Sequence, residues 1–438
     1  MPATVVPFVT PDGRVKGWKA QVPGHRPLAT PAVVGGRAFL GGGFGSHEFY
    51  AFDAAEGRLL WEHHTHDDGP TAAVVADGLV AFNTESCELE VLTVEGKPVW
   101  KKWLGDPLMS MPAVGSGRVY MAYPDSKGDQ RHYLGCFDLR QGERYWARPI
   151  PGEILTAPVL AAGHVYVATL EGSVLCFRQS DGLPVWEEQK LATSAPAVWN
   201  GQCYFSKREE TTLDRDGRAV PQQTESLAHR GRGAHAGTVT LGTTTQHADY
   251  LDYAKRSARS PRERADAASD AHVGFAFAKG HAKMYQAQTH LGHGTVAGVW
   301  SYQGSKPFLW DGRLYSTMGD TLKCVDPAGE AVLWQRPLHP RGPDEPELLD
   351  STVTPPALVN GKAFVGTSKG DVICLSADSG ERLWGANVGE PIVFQPAVAN
   401  GRVYVGTYAG SLICLETGDD KDDGWPMWGG SPAHNGAS

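Results

Sequence analysis

Seven of the chain's sixteen histidines, His229, His235, His247, His272, His281, His290 and His293, fall between positions 223 and 299. Imidazole is the commonest metal ligand, and it is the side chain that titrates near neutrality without help from its surroundings. The spacing His290-x-x-His293 puts two rings on one side of a helix end, with His281 a few turns away. With His272, these three are the candidate ligands for a divalent metal. No cysteine pair precedes them at zinc-finger spacing and no His-Glu-x-x-His occurs, so polar-surface or hydrogen-bonded structural histidines are the competing and preferred reading. A second cluster reads His63-His64-Thr65-His66-Asp67-Asp68. On an extended strand its alternate side chains point opposite ways, so only some can face a common ligand; a solvated polar loop is the ordinary alternative.

The elements that must position these groups are set by an internal repeat. A Pro-x-Val-like start, a Gly turn and an apolar-aromatic strand recur at 31–40, 72–81, 112–121, 158–167, 196–205, 306–316, 355–365 and 396–405. The units close on Gly-x-x-x-Trp, at Gly57/Trp61, Gly96/Trp100, Gly142/Trp146, Gly182/Trp186 and Gly380/Trp384, with one-residue-longer versions at Gly13/Trp18 and Gly329/Trp334, except the unit begun at 196, where Pro221 stands in place of the Trp. Most starts are spaced by roughly the 40 residues of a four-stranded propeller blade. Strands such as Arg402-Val403-Tyr404-Val405 are β-branched and aromatic, and corners such as Asn400-Gly401 supply the positive φ of tight hairpins. The segment containing Gly13 to Trp18 is expected to supply the outer strand of the blade begun at 396, closing the ring and removing a free edge.

This Trp-terminated repeat resembles the PQQ-like, quinoprotein-type propeller family, which includes quinoprotein dehydrogenases and an outer-membrane assembly lipoprotein. The tail Trp425-Pro426-Met427-Trp428, followed by His434-Asn435-Gly436, is similar to a segment common at the ends of such propellers. The resemblance implies an all-β, eight-bladed β-propeller carrying a partly helical insertion, and it implies function only weakly. Quinoprotein dehydrogenases are longer and hold their cofactor beneath an adjacent Cys-Cys disulfide; this chain has no Cys-Cys. The chain therefore reads as a member that is not a PQQ-dependent dehydrogenase, and PQQ is not expected.

One unit departs from the period: about 70 extra residues separate the starts at 196 and 306. Thr212 to Val220 has a strand–Gly–strand shape, so the organisation expected is propeller over 1–222, insertion over 223–299 and propeller over 300–438. The polar stretch from Arg230 to Thr245 reads as loop. Helices are predicted over about 247–258 and, from the N-cap Ser260-Pro261-Arg262-Glu263, to about Thr289. In propeller wiring the insertion and the His63–Asp68 loop emerge on one face, the funnel face. His25, Arg26, His63, His66, Asp67, Asp68, Glu153, Tyr302 and Asp350 are the candidate ligand-binding residues there.

Composition bounds the rest. Gly (53) and Trp (13) are abundant and the formal charge is −9, which suits tight turns and disfavours wholesale binding of nucleic acid or anionic membrane. No apolar run approaches a membrane span, and the start lacks a signal-peptide pattern. The seven cysteines, five at one repeating position, read as buried reduced thiols. A cytoplasmic location is expected on these grounds. The function expected is a rigid platform for a protein or peptide partner, with the insertion as specificity element. The alternative is a metal- or His-dependent enzyme acting on a small molecule in the funnel, capped by the insertion, with a divalent metal as its cofactor.

Overall fold

A computed structural model describes residues 4–436 except 44, 106–109, 125–131, 153, 155, 170–171, 190–191, 193, 211–221, 231–237, 246–306, 319–320, 327–330 and 339–352. The described residues form an all-β propeller without a helix, and their strands assemble into seven antiparallel sheets of four and one of five. The chain opens with β1 (Thr4–Val9) and β2 (Lys16–Gln21). The first four-stranded sheet holds β3 (Ala32–Val34), β4 (Arg37–Gly41), β5 (Glu48–Asp53) and β6 (Leu59–His64). The second holds β7 (Val74–Ala76), β8 (Leu79–Asn83), β9 (Glu88–Thr93) and β10 (Pro98–Trp103). Later sheets span 113–150, 159–189, 197–245, 308–337 and 357–387. The inner hairpins fall where the repeat places them. Their corners, such as Asn360-Gly361 and Asn400-Gly401, have positive φ at both residues, the geometry that lets two residues reverse a twisted ladder.

The Gly and the Trp of each Gly-x-x-x-Trp serve different interfaces. The ring of Trp100 lies under Gly142 of the next sheet, where an added Cβ would stand 2.7 Å from the indole, and its Nε1 donates to the carbonyl of Leu139 at 2.9 Å. Trp18 meets Gly57 and Ala54, Trp61 meets Gly96 and Val94, Trp146 meets Gly182 and Gln179, and Trp334 meets Gly380 and Ala377 in the same way. Within each sheet the Trp lies opposite a small or apolar residue of the third strand, cysteine in Cys136↔Trp146, Cys176↔Trp186, Cys324↔Trp334 and Cys374↔Trp384. All seven cysteines are buried and free. Burial pushes the Cys136 and Cys324 thiols up to about 11 and those of Cys374 and Cys414 to about 12, which keeps them protonated and inert.

In six of the seven four-stranded sheets the outer strand slips one residue against its neighbour just before the Trp, and the sheet spanning 197–245 slips farther along its outer strand. The bulged residue is Leu60, Val99, Tyr145, Val185, Leu333 or Leu383, and Leu241 in the sheet spanning 197–245. The five-stranded sheet has no such slip. There β2 pairs with Ser411–Glu416 from Gly17↔Leu415 to Gln21↔Ser411, so the start of the chain completes the last sheet, and β1 adds outside β2. Glu390 fastens this closure. It takes an ion pair from Lys19 on β2 and hydrogen bonds from Thr407 (2.5 Å) and Ser411 (3.1 Å). Burial pushes its carboxyl up, but the three donors together outweigh that and hold it below the ordinary glutamate value.

The expected boundary at 222/223 is corrected. Gln222–Arg230 and Thr238–Thr245 are the third and fourth strands of the sheet begun at Ala197, so residues expected in the insertion, including the stretch from Arg230 to Thr245 expected as loop, build a blade. The Thr-rich run is β-branched and pairs from Ala228↔Thr238 to Gln222↔Thr245. Counting from Ala197↔Tyr204↔His229, the position that Trp holds in the other sheets falls before Thr238, outside the described residues. The strand–Gly–strand reading of Thr212 to Val220 and both predicted helices lie outside the described residues.

Gly142→Ala should lower stability by about 2–4 kcal/mol, because a Cβ at φ +69° also strikes Trp100. Gly117→Ala, at the same φ with nothing within 4 Å, should cost only about 1–2 kcal/mol. Urea titration of both variants separates crowding from backbone strain. Glu390→Gln should cost about 1–3 kcal/mol at neutral pH. A carboxyl with a depressed folded pKa stabilises above its unfolded pKa, and this is lost as pH falls through the folded value. The difference in Tm between parent and variant should therefore shrink on acidification below about pH 4.5.

Candidate functional site

Two kinds of loop, those joining second to third strands and those leaving outer strands for the next inner strand, meet on one face and tie to each other. Gly69 N donates to Ser46 O (2.8 Å), Glu85 N to Asp68 O (2.9 Å), Leu104 N to Cys87 O (3.0 Å) and Ile392 N to Thr367 O (2.9 Å). This is the funnel face, and its loops form one hydrogen-bonded surface.

The tail and an apolar ring fill the axis beneath it. Backbone bonds run from Val33 N to Pro426 O, Val398 N to Trp425 O, Val114 N to Pro432 O, Leu160 N to Ala433 O and Leu309 N to Gly436 O, all between 2.6 and 2.9 Å. Asn435 brackets Val198 through its side chain. The tail thus crosses the inner strands of six sheets. Trp428 is buried in a cluster with Ala29, Ala72, Met111, Ala157, Ala195 and Phe394, contributed by the approaches to six different inner strands. Both ring nitrogens of His434 lie 2.8 Å from carbonyl oxygens, those of Trp428 and Pro112. Beside the apolar groups the same approaches bury Thr30, Thr71, Ser110, Thr156, Ser194 and Gln395, and Gln395 accepts from Gly429 N at 2.9 Å.

The polar groups of the funnel face gather around β4–β6. Arg26 lies over the Gly-rich turn, against Gly24, Gly43 and Gly45, and Gly43 has φ +92°. That turn works as a blade corner, ending on Ser46, whose buried hydroxyl has no partner. His25 and His66 are exposed. His64 stands outward with its Nδ1 4.0 Å from Glu48 and its ring centroid 6.0 Å from that of His47. His63, its neighbour, turns inward as the strand alternation requires. Its Nε2 lies 2.9 Å from Glu90 Oε2, and its ring meets the edge of Phe82. The Glu90 side chain is 3% exposed and its Oε1 has no partner. With Glu90 ionised, the His63 proton must sit on Nε2.

The expected ligand residues therefore divide. His25, Arg26 and His66 reach the face. His63 is committed to Glu90, and Asp67 to the next blade, taking Ser86 N and Oγ at 2.8 Å each. Asp68 holds the same turn through its backbone. Glu153, Tyr302, Asp350 and the metal candidates His272, His281, His290 and His293 lie outside the described residues. Among the described residues no group of three or more His, Cys, Asp or Glu is arranged to hold a metal. Sequence reasoning missed Glu90, His47 and Glu48. The readable signal was Glu90 itself, a charge inside Leu89-Glu90-Val91 where a strand core is due.

A family model described as outer membrane protein assembly factor BamB, of the PQQ-like class, matches residues 3–101, 88–241 and 318–430. The factor of that name from Burkholderia pseudomallei (strain K96243) is 25% identical over 233 residues, covering 41% of this chain and 60% of the relative. The one from Yersinia pestis is 23% identical over 223 residues, covering 44% and 55%. The chain thus spans little more than half the length of these relatives. Among solved structures, BamB from Moraxella catarrhalis superposes with a TM-score of 0.55 at 13% identity, covering 94% of this chain and 98% of that one. The computationally designed Ika8 protein gives 0.56 at 12%, covering 90% and 98%. Quinohemoprotein alcohol dehydrogenase from Comamonas testosteroni gives 0.54 at 13%, covering 92% and 76%. These likenesses show the fold alone. The curated relatives overturn the cytoplasmic location expected above, since they are named for assembly at the outer membrane. The thiols misled because each is buried within its own blade, where it stays reduced in any compartment.

Replacing His63 by Leu leaves the Glu90 carboxylate buried without a donor and should cost about 3–5 kcal/mol. Replacing both by Leu should recover most of that loss. Equal instability of the single and double variants in urea titrations would show that the pair contributes packing alone.

Proposed function

Because the chain belongs to the PQQ-like family whose model is described as outer membrane protein assembly factor BamB, we propose that it is a rigid platform for a polypeptide partner in outer-membrane protein assembly. The observation that carries this reading is the funnel face. Its loops are locked to each other and to a packed axis, while Arg26, His25, His64 and His66 stand outward from them. Such a surface loses little freedom on binding, which is what a platform needs. The apolar cluster around Trp428 supports binding over turnover, and the His63–Glu90 pair faces a blade interface.

In this reading the residues between Thr245 and Phe308 are the specificity element. Glu153, Tyr302 and Asp350 extend the contact set on the sequence grounds given above. A divalent metal on His272, His281, His290 and His293 is not required for it.

Photo-crosslinking tests the reading directly. A benzoylphenylalanine at position 66 or 25, expressed in an envelope-containing cell, should trap a discrete polypeptide. The same probe at perimeter position 143 should not trap that species, and Arg26→Glu should weaken capture at position 66 about tenfold or more. Identical adducts from positions 66 and 143 would remove the funnel face as the platform.

A further inference from the structure

The perimeter of the propeller carries a second feature that the funnel reading does not use. An outer strand is an open ladder of N–H and C=O groups, and a bulge is one of the devices that spoil such a ladder as a template. All seven four-stranded sheets have that bulge, and the bulged side chains include Val99 (40% exposed), Tyr145 and Val185 (both 52%). The sheet without it is the one that has accepted a further strand. On β2, Gly17 lies opposite Leu415 and Trp18 opposite Cys414 in unbroken register. A Cβ on Gly17 would lie 1.8 Å from the carbonyl oxygen of Cys414, so glycine lets β2 lie flat where every other outer strand is pushed out.

β1 fills the edge this creates, from Thr4↔Gln21 to Val9↔Lys16. Its hold is slight. Val5 and Phe8 pack against the cores on the two sides of the closing sheet, whereas Val6 and Val9 are exposed and Pro7 offers no N–H. Ring closure itself belongs to β2, Trp18 and Lys19, not to β1.

We infer that the outer edge of β2 is a strand-addition site, that β1 is its tethered occupant, and that an extended apolar segment of a partner polypeptide takes the edge by displacing β1. Such a segment would supply main-chain pairing and two apolar side chains at the positions of Val5 and Phe8. The inference deepens the platform reading by naming a kind of partner segment, but it uses the perimeter and not the funnel face. Failure at β2 leaves the position-66 crosslink standing, and loss of that crosslink leaves β2 untouched.

The probe is a fluorescein-labelled peptide with the sequence of residues 1–12. Fluorescence anisotropy should show saturable binding at least tenfold tighter to a chain lacking residues 1–9 than to the full chain. The double variant Val5→Asp/Phe8→Asp in the full chain should show the same gain, which covers the case in which the truncated chain does not fold. Inserting one Leu between Gly17 and Trp18 of the truncated chain restores a bulge and should remove the gain. With the unaltered chain, excess peptide should raise hydrogen exchange in β1 and leave β2 protected. A folded variant that does not bind the peptide, a bulge-restored chain that binds equally well, or β1 protection unchanged by peptide would each overturn the inference.

Discussion

The structure depends on one contact, an outer-strand indole pressed beneath a glycine of the next unit, made by Trp18, Trp61, Trp100, Trp146 and Trp334. A buried Trp removes on the order of 150–250 Å² from water, or about 4–6 kcal/mol of gross apolar burial, against about 1 kcal/mol for its Nε1 hydrogen bond. Packing therefore supplies the energy, and the hydrogen bond to Leu139 or its equivalents sets the ring's orientation. Since a single Gly-x-x-x-Trp gives its Gly to the preceding sheet and its Trp to the following one, no unit completes either contact alone. The ring must close for the last Trp to find its glycine. Trp18, carried by the first residues of the chain, finds Gly57 only after β2 has joined the last sheet.

That constraint explains how the sheet edges are managed. Outer strands cannot be buried, because the Trp needs them on the perimeter, and six of the seven four-stranded sheets bulge one residue before the Trp. Among the described residues only the composite sheet keeps a straight outer strand, and there Thr4–Val9 covers it.

The inner hairpins, the Trp positions and the closure by Trp18 were legible because each rests on a local requirement: a glycine at positive φ, a β-branched strand, an indole at fixed spacing. The outer strands 222–245 were not, since their pattern is Thr and Gly without Trp, and threonine is as much at home in a loop as on a pleated edge. Of the segment expected as a loop at His63–Asp68, His63 and His64 end a strand, and the roles of its side chains were not readable. Whether His63 or Asp67 faces a ligand depends on Glu90 and Ser86, which belong to the next blade and are distant in sequence. The tail was recognisable as a motif, yet nothing in Trp425 to Gly436 announces that its carbonyls would find the inner strands of several sheets in turn.

Filling the axis has a consequence for where this propeller can act. In a ring of radial sheets the centre is the natural cavity, because inner strands converge there with their approach residues pointing inward. Here those residues are alanines, a methionine and a phenylalanine around Trp428, beside buried Thr30, Thr71, Ser110, Thr156, Ser194 and Gln395. The plug joins sheets that otherwise touch only their neighbours, so it stiffens the ring across its diameter as well as around its rim. A stiff ring with a closed axis leaves two surfaces for chemistry: the loops above the plug and the strand edges around it. The loops bear the charge and the imidazoles, and the edges bear the backbone groups. Side-chain recognition therefore falls to the first, and recognition of an extended main chain to the second.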